Sequence, residues 1–396
     1  MEQEATGEAR THWLVLVLII SCTVLGLAGT DLVLPAVPAL PEALGGTISQ
    51  SQFVLATFVA GAGGGLILFG ALGAQFDQRK LLFAALLSYG LISAAALWAA
   101  SLPQLIGLRF FQGIASSAPA VFAPGIIRKM FDEKGAMRAI GFLSSVESLT
   151  PAFAPIAGVW LLSVYGWQAS FSVIAVIALL QCVLIAAFSR HIPNVKPQRD
   201  GSSYRALFGN AAYLRQAVSQ ALTLGALLVF VFGAPAVITK TMDGTLQHFI
   251  IMQITGIATF IFGANIAERL VSRFGAEAVI LFGSLLSLSG IIAITVYAFV
   301  ADADPRMLPL LFIPMNCGLG LRSPPGFLQA LIAADGDDTR GSALLLLLVL
   351  LTTAAGTAAV APFIEIGLRP LAVAATLLST LSIVCLLVVP KPAVQT

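Results

Sequence analysis

Apolar stretches of about 20 residues recur throughout this chain, and they constrain its fold more than any other feature of the sequence. A helix of that length crosses the roughly 30 Å hydrocarbon core of a bilayer. Of the 396 residues, 58% are hydrophobic and only 10% are charged, whereas an average soluble domain carries about 25% charged residues. The sequence therefore predicts an all-α, polytopic membrane protein.

The apolar stretches also predict the topology. Under an orientation with both termini in the cytoplasm, sixteen of the 21 lysines and arginines fall in cytoplasmic segments, and three fall outside. Because positive charge is retained on the cytoplasmic side, this asymmetry predicts an N-in, C-in orientation. The sequence holds twelve such spans, near 13–39, 51–73, 80–102, 103–129, 138–164, 167–189, 213–239, 248–270, 276–300, 307–333, 341–366 and 369–390.

One longer polar connection, "SRHIPNVKPQRDGSSYRALFGN", separates the sixth span from the seventh. We expect an N-terminal six-helix half at 1–192, a cytoplasmic linker at 193–212 and a C-terminal six-helix half at 213–396. The halves echo each other, since "GALGAQFDQRKLL" and "ERLVSRFGAEAV" both place basic residues and a phenylalanine in the turn after the second span. Such duplication fits the parallel repeats of a 6+6 transporter.

Several classes of protein are poorly supported by the sequence. The four cysteines lie inside apolar spans, and the three histidines show no metal-ligand spacing, so neither disulfides nor a metal cluster are expected. The spans hold no nucleophile–base set and no cofactor motif. We therefore expect no enzyme, no cofactor and no nucleic-acid partner, and a sensor would require a soluble output domain for which no loop is long enough.

Ionisable side chains at membrane depth are expensive and are usually retained for function. At about 1.5 Å per residue, Asp31 and Arg109 lie roughly 12 Å and 9 Å from the outer ends of spans one and four, so they can pair. Pro35 cannot donate to the carbonyl of Asp31, which indicates a break that faces protein or cavity water. The alternatives are a structural ion pair or a hydrated helix end for Asp31, and an arginine that only holds two helices together for Arg109.

Glu147 and Arg322 form a second candidate pair. They belong to opposite halves and lie at similar depths of about 14–17 Å from the inner ends of spans five and ten. One hypothesis is an ionic contact that forms and breaks as the halves rock. The rival hypothesis is that each charge lines the cavity separately, with Glu147 as a second proton site or a cation anchor.

Four motifs carry a resemblance to a known family. The loop after span two matches G-x-L-x-D-R-x-G-R-R/K at Gly70, Arg79 and Lys80, but Ala74 and Gln75 replace its Asp-Arg and Asp77 replaces its second glycine. Span four contains R-x-x-Q-G, formed by Arg109, Gln112 and Gly113. Span five reads "SLTPAFAPIAGVWLL", in which Pro151 precedes a degenerate G-P-x-x-G-G motif matched at Pro155 and Gly158. The fourth motif is the opening "TDLVLPAVPALP".

In these motifs the chain resembles the major facilitator superfamily, in particular its twelve-helix drug:proton antiporters. The opening is similar to that of the Bcr/CflA exporters, which include exporters of chloramphenicol and florfenicol. The resemblance implies proton-coupled export of drugs or small molecules across the bacterial inner membrane by alternating access. The proton gradient would supply the energy, the substrate would be phenicol-like or otherwise amphiphilic, and we expect a monomer in the bilayer.

The resemblance also implies roles for individual residues. Together with the burial of charge at membrane depth, it assigns proton coupling and the substrate cavity to Asp31, Arg109 and Gln112, while the assignment of Glu147 and Arg322 to the cavity rests on their depth alone. Conformational change would involve Gly70, Asp77, Arg79, Lys80, Gly113, Pro151, Pro155 and Gly158. In the family, the charged residues of this loop hold the two halves together on the cytoplasmic side. In this chain, Asp77 would have to replace the missing acid for the same contact to form. The alternative function is a metabolite exporter or facilitator of the same fold without obligatory proton coupling.

Overall fold

A computed structural model describes residues 2–193, 203–300 and 304–389. Its regular elements over these ranges are helices, which confirms the predicted all-α class. The long helices follow one another in the order of the twelve spans. They are α1 Glu2–Asp31, α2 Phe53–Gly73, α3 Gln78–Ala96, α4 (two segments, Leu102–Ser116 and Ala118–Met130), α5 Glu133–Tyr165, α6 Gln168–Phe188, α7 Ala211–Thr241, α8 Leu246–Phe274, α9 Ala276–Val300, α10 Leu308–Ala333, α11 Asp338–Val360 and α12 Leu368–Val388.

Among the described residues, 11 helical stretches are long and apolar enough to cross a membrane. Helix α10 is not one of them, although it is 26 residues long. It carries Asn316, Arg322 and the prolines Pro314, Pro324 and Pro325, and most of these side chains are buried. The polar and proline residues of α10 therefore face protein.

Large apolar side chains are exposed on the outer faces of several helices. Phe153 and Ile156 on α5 are 64% and 66% exposed, and Val183 on α6 is 64% exposed. A water-soluble protein seldom exposes contiguous apolar surface of this kind, whereas lipid tails are as apolar as these side chains. The exposed faces are those of a membrane protein.

The chain divides into two compact units. Unit 1 comprises Met1–Asp132, Val146–Ser202 and Asp337–Ala343, and unit 2 comprises Glu133–Ser145, Ser203–Gly336 and Leu344–Thr396. The start of α5 thus belongs to unit 2, and the start of α11 belongs to unit 1. The predicted boundaries of the linker, 193 and 212, remain a prediction, because residues 194–202 lie outside the described residues.

In unit 1, glycines bring the backbones of α2 and α4 into direct contact. A Cβ atom added to Gly61 would lie 2.0 Å from the carbonyl oxygen of Phe110, and one added to Gly113 would lie 2.0 Å from the carbonyl oxygen of Phe58. Each glycine therefore faces a backbone carbonyl of the other helix. Small residues permit such close approach, which dispersion and weak Cα–H···O contacts then stabilise.

Unit 2 contains the same reciprocal contact between α8 and α10. A Cβ atom on Gly263 would lie 2.5 Å from the carbonyl oxygen of Cys317, and one on Gly320 would lie 2.2 Å from that of Phe260. In both units, each of the two glycines lies three residues after the residue of its own helix whose carbonyl oxygen faces the other glycine. The two units therefore share one helix-crossing geometry, as expected of duplicated halves.

Candidate functional site

Helix α1 ends at Asp31, and the chain then tightens into a 3₁₀ segment, Leu34–Ala39. The amide of Leu32 still donates to the carbonyl of Ala28 at 2.9 Å, but Ala36 donates to Val33 at 2.9 Å. Pro35 has no amide proton to offer the carbonyl of Asp31. The break that the sequence predicts at this proline is therefore confirmed, and it places the Asp31 carboxyl group at a helix end.

Two neighbouring helices support this break within unit 1. The hydroxyl group of Ser170 on α6 donates to the carbonyl of Leu32 at 2.9 Å, and so satisfies a backbone group next to the break. On α5, a Cβ atom on Gly158 would lie 2.4 Å from the same carbonyl oxygen and 3.1 Å from Cγ of Pro35. Gly158, a residue of the span-five motif, thus allows α5 to pack directly on the broken end of α1.

Asp31 is half-buried, and the described residues include neither a hydrogen-bond partner nor an ion-pair partner for its carboxyl group. The expected pairing of Asp31 with Arg109 is therefore wrong for this structure. The reason lies in Arg109, whose donors are occupied by other acceptors. An acid without a fixed cation at this depth remains free to exchange a proton or to meet a ligand.

Arg109 is fully buried, and each of its three guanidinium nitrogens has a partner. Nε donates to the carbonyl of Val54 at 3.0 Å, Nη1 donates to Oε1 of Gln112 at 3.1 Å, and Nη2 donates to the carbonyl of Gly29 at 3.0 Å. The ring of Phe58 lies 4.1 Å from Cζ, where a cation–π contact adds stabilisation. Arg109 thereby fixes α1 two residues before Asp31.

Gln112 extends this network to α3. Its amide nitrogen donates to the hydroxyl of Ser93 at 2.9 Å, and Ser93 donates to the carbonyl of Tyr89 at 2.6 Å. Arg109 and Gln112 are three residues apart and therefore lie on the same face of α4. Both side chains belong to one hydrogen-bonded network, as the R-x-x-Q spacing indicates.

Tyr89 is a residue of this site that sequence analysis missed. Its hydroxyl group is buried and has no hydrogen-bond partner among the described residues. A Cβ atom on Gly29 would lie 2.2 Å from that hydroxyl oxygen, so Tyr89 contacts α1 at the residue that Arg109 holds. The available signal is that Tyr89 is the only tyrosine of span three, because a buried tyrosine hydroxyl usually has a partner.

Glu147 lies in unit 1, half-buried on α5, next to the side chain of Thr23 on α1. Pro151 stands four residues after Glu147, just as Pro35 stands four residues after Asp31. It therefore leaves the carbonyl of Glu147 without its helical donor, in a helix that also contains Pro155. Both acids thus stand at a point where a proline interrupts the backbone hydrogen bonds.

Arg322 lies in unit 2, fully buried, and its described partners are neutral. Its Nη1 donates to the carbonyl of Ser219 at 2.9 Å and to the hydroxyls of Ser219, Thr223 and Ser382. Because Glu147 and Arg322 belong to different units, an ionic contact between them remains a prediction.

The loop after α2 is organised around Asp77. Its carboxylate caps α3 by accepting from the amide of Arg79 at 3.0 Å, and it forms an ion pair with Nη2 of Arg79 at 2.8 Å. The hydrogen bond from Arg79, assisted by the charges of Arg79 and Lys80, holds the pKa of Asp77 below its ordinary value. Arg79 also donates to the carbonyl of Ser189 at 3.2 Å, while Lys80 is exposed and Gly70 is buried.

A different acid contacts the far end of α4 in unit 1. Asp338, the first residue of α11, forms an ion pair with Arg128, and Thr339 accepts a hydrogen bond from the buried side chain of Gln78 at 2.6 Å. A Cβ atom on Gly73 would lie 2.6 Å from Cγ2 of Thr339. The start of α11 thus contacts the neighbouring ends of α3 and α4 within unit 1 through Thr339 and Asp338, and the role of Asp77 as a substitute acid remains a prediction.

Residues suited to a metal centre do not cluster in the described part of the chain. All four cysteines are free thiols. The candidate groups are thus the break at Asp31, the Arg109 network and Glu147 in unit 1, and, described separately, Arg322 in unit 2.

The comparison with protein families identifies the fold. A model described as "Major Facilitator Superfamily" matches residues 19–344. The chain belongs to this superfamily. Among solved structures, the transporter FucP superposes with a TM-score of 0.75 at 14% identity, and the match covers 96% of this chain and 100% of FucP. The proton:xylose symporter XylE gives a TM-score of 0.75 at 14% identity and covers 97% of each chain.

The curated relatives of this superfamily member are drug-resistance proteins. The chain is 27% identical to a chloramphenicol resistance protein of Pseudomonas aeruginosa over 68% of its own length and 64% of the relative's length. It is 23% identical to a bicyclomycin resistance protein homolog of Haemophilus influenzae, covering 63% and 64%. It is 24% identical to the multidrug resistance protein MdtM of Salmonella typhimurium, covering 61% and 60%. The alignments thus span somewhat less than two thirds of each of these relatives.

Proposed function

We propose that this transporter exports drugs or other small amphiphilic molecules across the bacterial inner membrane, in exchange for protons that flow inward. The observation that carries the proposal is the half-buried carboxyl group of Asp31, which stands at a proline-made helix break without a counter-cation among the described residues. The drug-resistance relatives support an exporter, and chloramphenicol is the first compound to test.

Asp31 would carry the exchanged proton. In a transporter that works by alternating access, the wetting of a carboxyl group near a broken helix changes during the cycle, and its affinity for protons changes with it. If a drug binds only when Asp31 has released its proton, the two ligands compete for one state. Inward movement of protons then drives outward movement of the drug.

Arg109 would act as a positioning residue in this mechanism. Its hydrogen bond to Gly29 and the contact of Tyr89 with the same residue set the end of α1. A movement of α4 would therefore be transmitted to Asp31 through the backbone of α1. No direct ion pair is required for this coupling.

Transport in inverted membrane vesicles tests the proposal. Vesicles that contain the transporter would be energised, and accumulation of labelled chloramphenicol would be followed before and after addition of nigericin, which collapses the pH gradient. We expect accumulation against a gradient that stops when the pH gradient collapses. Equilibration of the drug at the same rate with and without the pH gradient would instead identify a facilitator.

A further inference from the structure

The guanidinium group of Arg322 is bonded on one side only. The four hydrogen bonds described for it all start from Nη1, and they end on one carbonyl and on the hydroxyls of Ser219, Thr223 and Ser382. These hydroxyls also bond to one another, with 2.8 Å between Ser219 and Ser382 and 2.7 Å between Thr223 and Ser382. The cluster is buried on α7, α10 and α12 of unit 2.

The opposite edge of the same guanidinium is unsatisfied. Nε and Nη2 of Arg322 are buried and have no hydrogen-bond partner among the described residues. No carboxylate of the described chain forms an ion pair with this arginine. A buried charge without a counter-ion is costly, because neutral partners replace only part of its hydration. The unpaired edge is also the edge with which arginine binds carboxylates in a bidentate manner.

Gly326 faces this edge without a side chain, next to the flexible end of Gln220. A Cβ atom on Gly326 would lie 3.4 Å from Nη2 and 3.9 Å from Nε of Arg322, and 2.9 Å from Oε1 of Gln220. That Gln220 atom is likewise buried without a partner, while the other atom of the amide, Nε2, donates to Ser323 at 3.1 Å. Amide oxygen and nitrogen exchange places by a flip of the side chain, so Gln220 can also present a donor here.

We propose that the Nε/Nη2 edge of Arg322 binds a small monovalent anion beside Gly326, with the flexible side chain of Gln220 moving to admit it. The chemistry fits a chloride ion or the carboxylate group of a transported molecule. The comparison with Arg109 supports this assignment. Both arginines are fully buried in their units, but all three nitrogens of Arg109 have protein acceptors, so only Arg322 requires an external one.

Substitution Gly326→Ala tests the site without removing a charge. The new methyl group would occupy the position beside Nη2 and Nε, and its tightest contact is the flexible end of Gln220, so the fold can accept it. The matched control is Gly107→Ala, where a Cβ atom would meet nothing within 4 Å. Thermal unfolding of the purified full-length protein would be recorded in sodium chloride, sodium formate and sodium methanesulfonate at constant ionic strength, with methanesulfonate as a monovalent reference anion that has no carboxylate and is larger than chloride or formate.

We expect chloride or formate to raise the melting temperature of the wild type relative to methanesulfonate, because an anion that binds only the folded state stabilises it. In Gly326→Ala the concentration for half of this shift should rise at least about tenfold, which corresponds to about 1.4 kcal/mol of lost binding. Gly107→Ala should respond as the wild type does, and Arg322→Gln should show no anion dependence. A response to chloride alone would identify a free halide, and a response to formate alone would identify a cargo carboxylate.

Two results would overturn the proposal. The first is a wild-type melting temperature that is the same in all three salts. The second is an anion response that persists undiminished in Gly326→Ala. The Gly326 variant keeps the test decisive even if Arg322→Gln fails to fold.

Discussion

At the scale of single residues, local spacing predicts a contact well when both partners lie on one helix. Arg109 and Gln112 are three residues apart and bond as the motif indicates, and Pro35 marks the break after Asp31. The other acceptors of Arg109 could not be predicted, because Gly29 and Val54 are 80 and 55 residues away in sequence. Backbone carbonyls carry no sequence signature, so the sequence favours an aspartate as the partner of this arginine.

Arg109→Lys tests the positioning role. A lysine ammonium is a point charge and cannot reach three acceptors that a planar guanidinium reaches at once. We expect the free energy of unfolding to fall by about 2–5 kcal/mol, since acceptors at Gly29 and Val54 lose charged donors. Drug transport should fall with it. Thermal unfolding and vesicle transport measure these effects, with Arg273→Lys at an exposed position as the control. If Arg109→Lys had the stability and the transport activity of the wild type, the positioning role of Arg109 would be contradicted.

Asp77→Asn tests the loop after α2. The pKa of Asp77 in the folded protein is below its ordinary value of 3.8, so its carboxylate contributes stability that is fully present above that value. The contribution is lost as the pH falls through the lowered pKa. Because this ion pair is partly exposed, we expect a difference of up to about 1 kcal/mol between wild type and variant at neutral pH.

That difference should close at acid pH, as measured by thermal unfolding of both proteins across a pH series. In an Arg79→Gln background most of the difference should already be absent. A gap that widens toward low pH would contradict the ion-pair assignment.

At the scale of helices, the sequence predicts where helices lie far better than how they cross. Among the described residues, the long helices follow the positions and order that hydropathy predicts, although α10 is not apolar enough to qualify as a span in the structure. The reciprocal contacts between α2 and α4 and between α8 and α10 do not follow from hydropathy, because glycines are frequent in this chain and most are not at a crossing. Gly107 and Gly64, for example, have open space where a side chain would be. Only the structure separates these glycines from Gly61 and Gly113.

Alanine substitutions measure the crossings directly. Gly113→Ala places a methyl group 2.0 Å from a backbone oxygen, and Gly320→Ala places one at 2.2 Å. A backbone oxygen cannot move away as a side chain can. We expect each to destabilise its unit by about 1–3 kcal/mol through overpacking. Gly107→Ala should leave the melting temperature unchanged. Equal melting temperatures for all three variants would show that neither contact is tight.

At the scale of the whole molecule, the composition alone excludes soluble folds, and the repeated loop motif indicates two related halves. In the structure, the two units do not simply follow the order of the chain. Residues 133–145 belong to unit 2, and residues 337–343 belong to unit 1. Hydropathy could not predict this assignment, because it shows where the spans lie in the sequence but not which spans pack against each other. The ion pair of Arg128 with Asp338 illustrates the consequence, because its two residues lie 210 positions apart in the chain.

The central claim is that Asp31 carries the exchanged proton, and proton release on drug binding tests it most directly. Purified transporter in weakly buffered detergent solution would be mixed with chloramphenicol while a pH indicator reports released protons, and drug binding would be measured in parallel by equilibrium dialysis. We expect release from the wild type and from Glu147→Gln, and no release from Asp31→Asn although it still binds the drug. Undiminished release from Asp31→Asn, together with its loss in Glu147→Gln, would contradict the claim and make Glu147 the carrier.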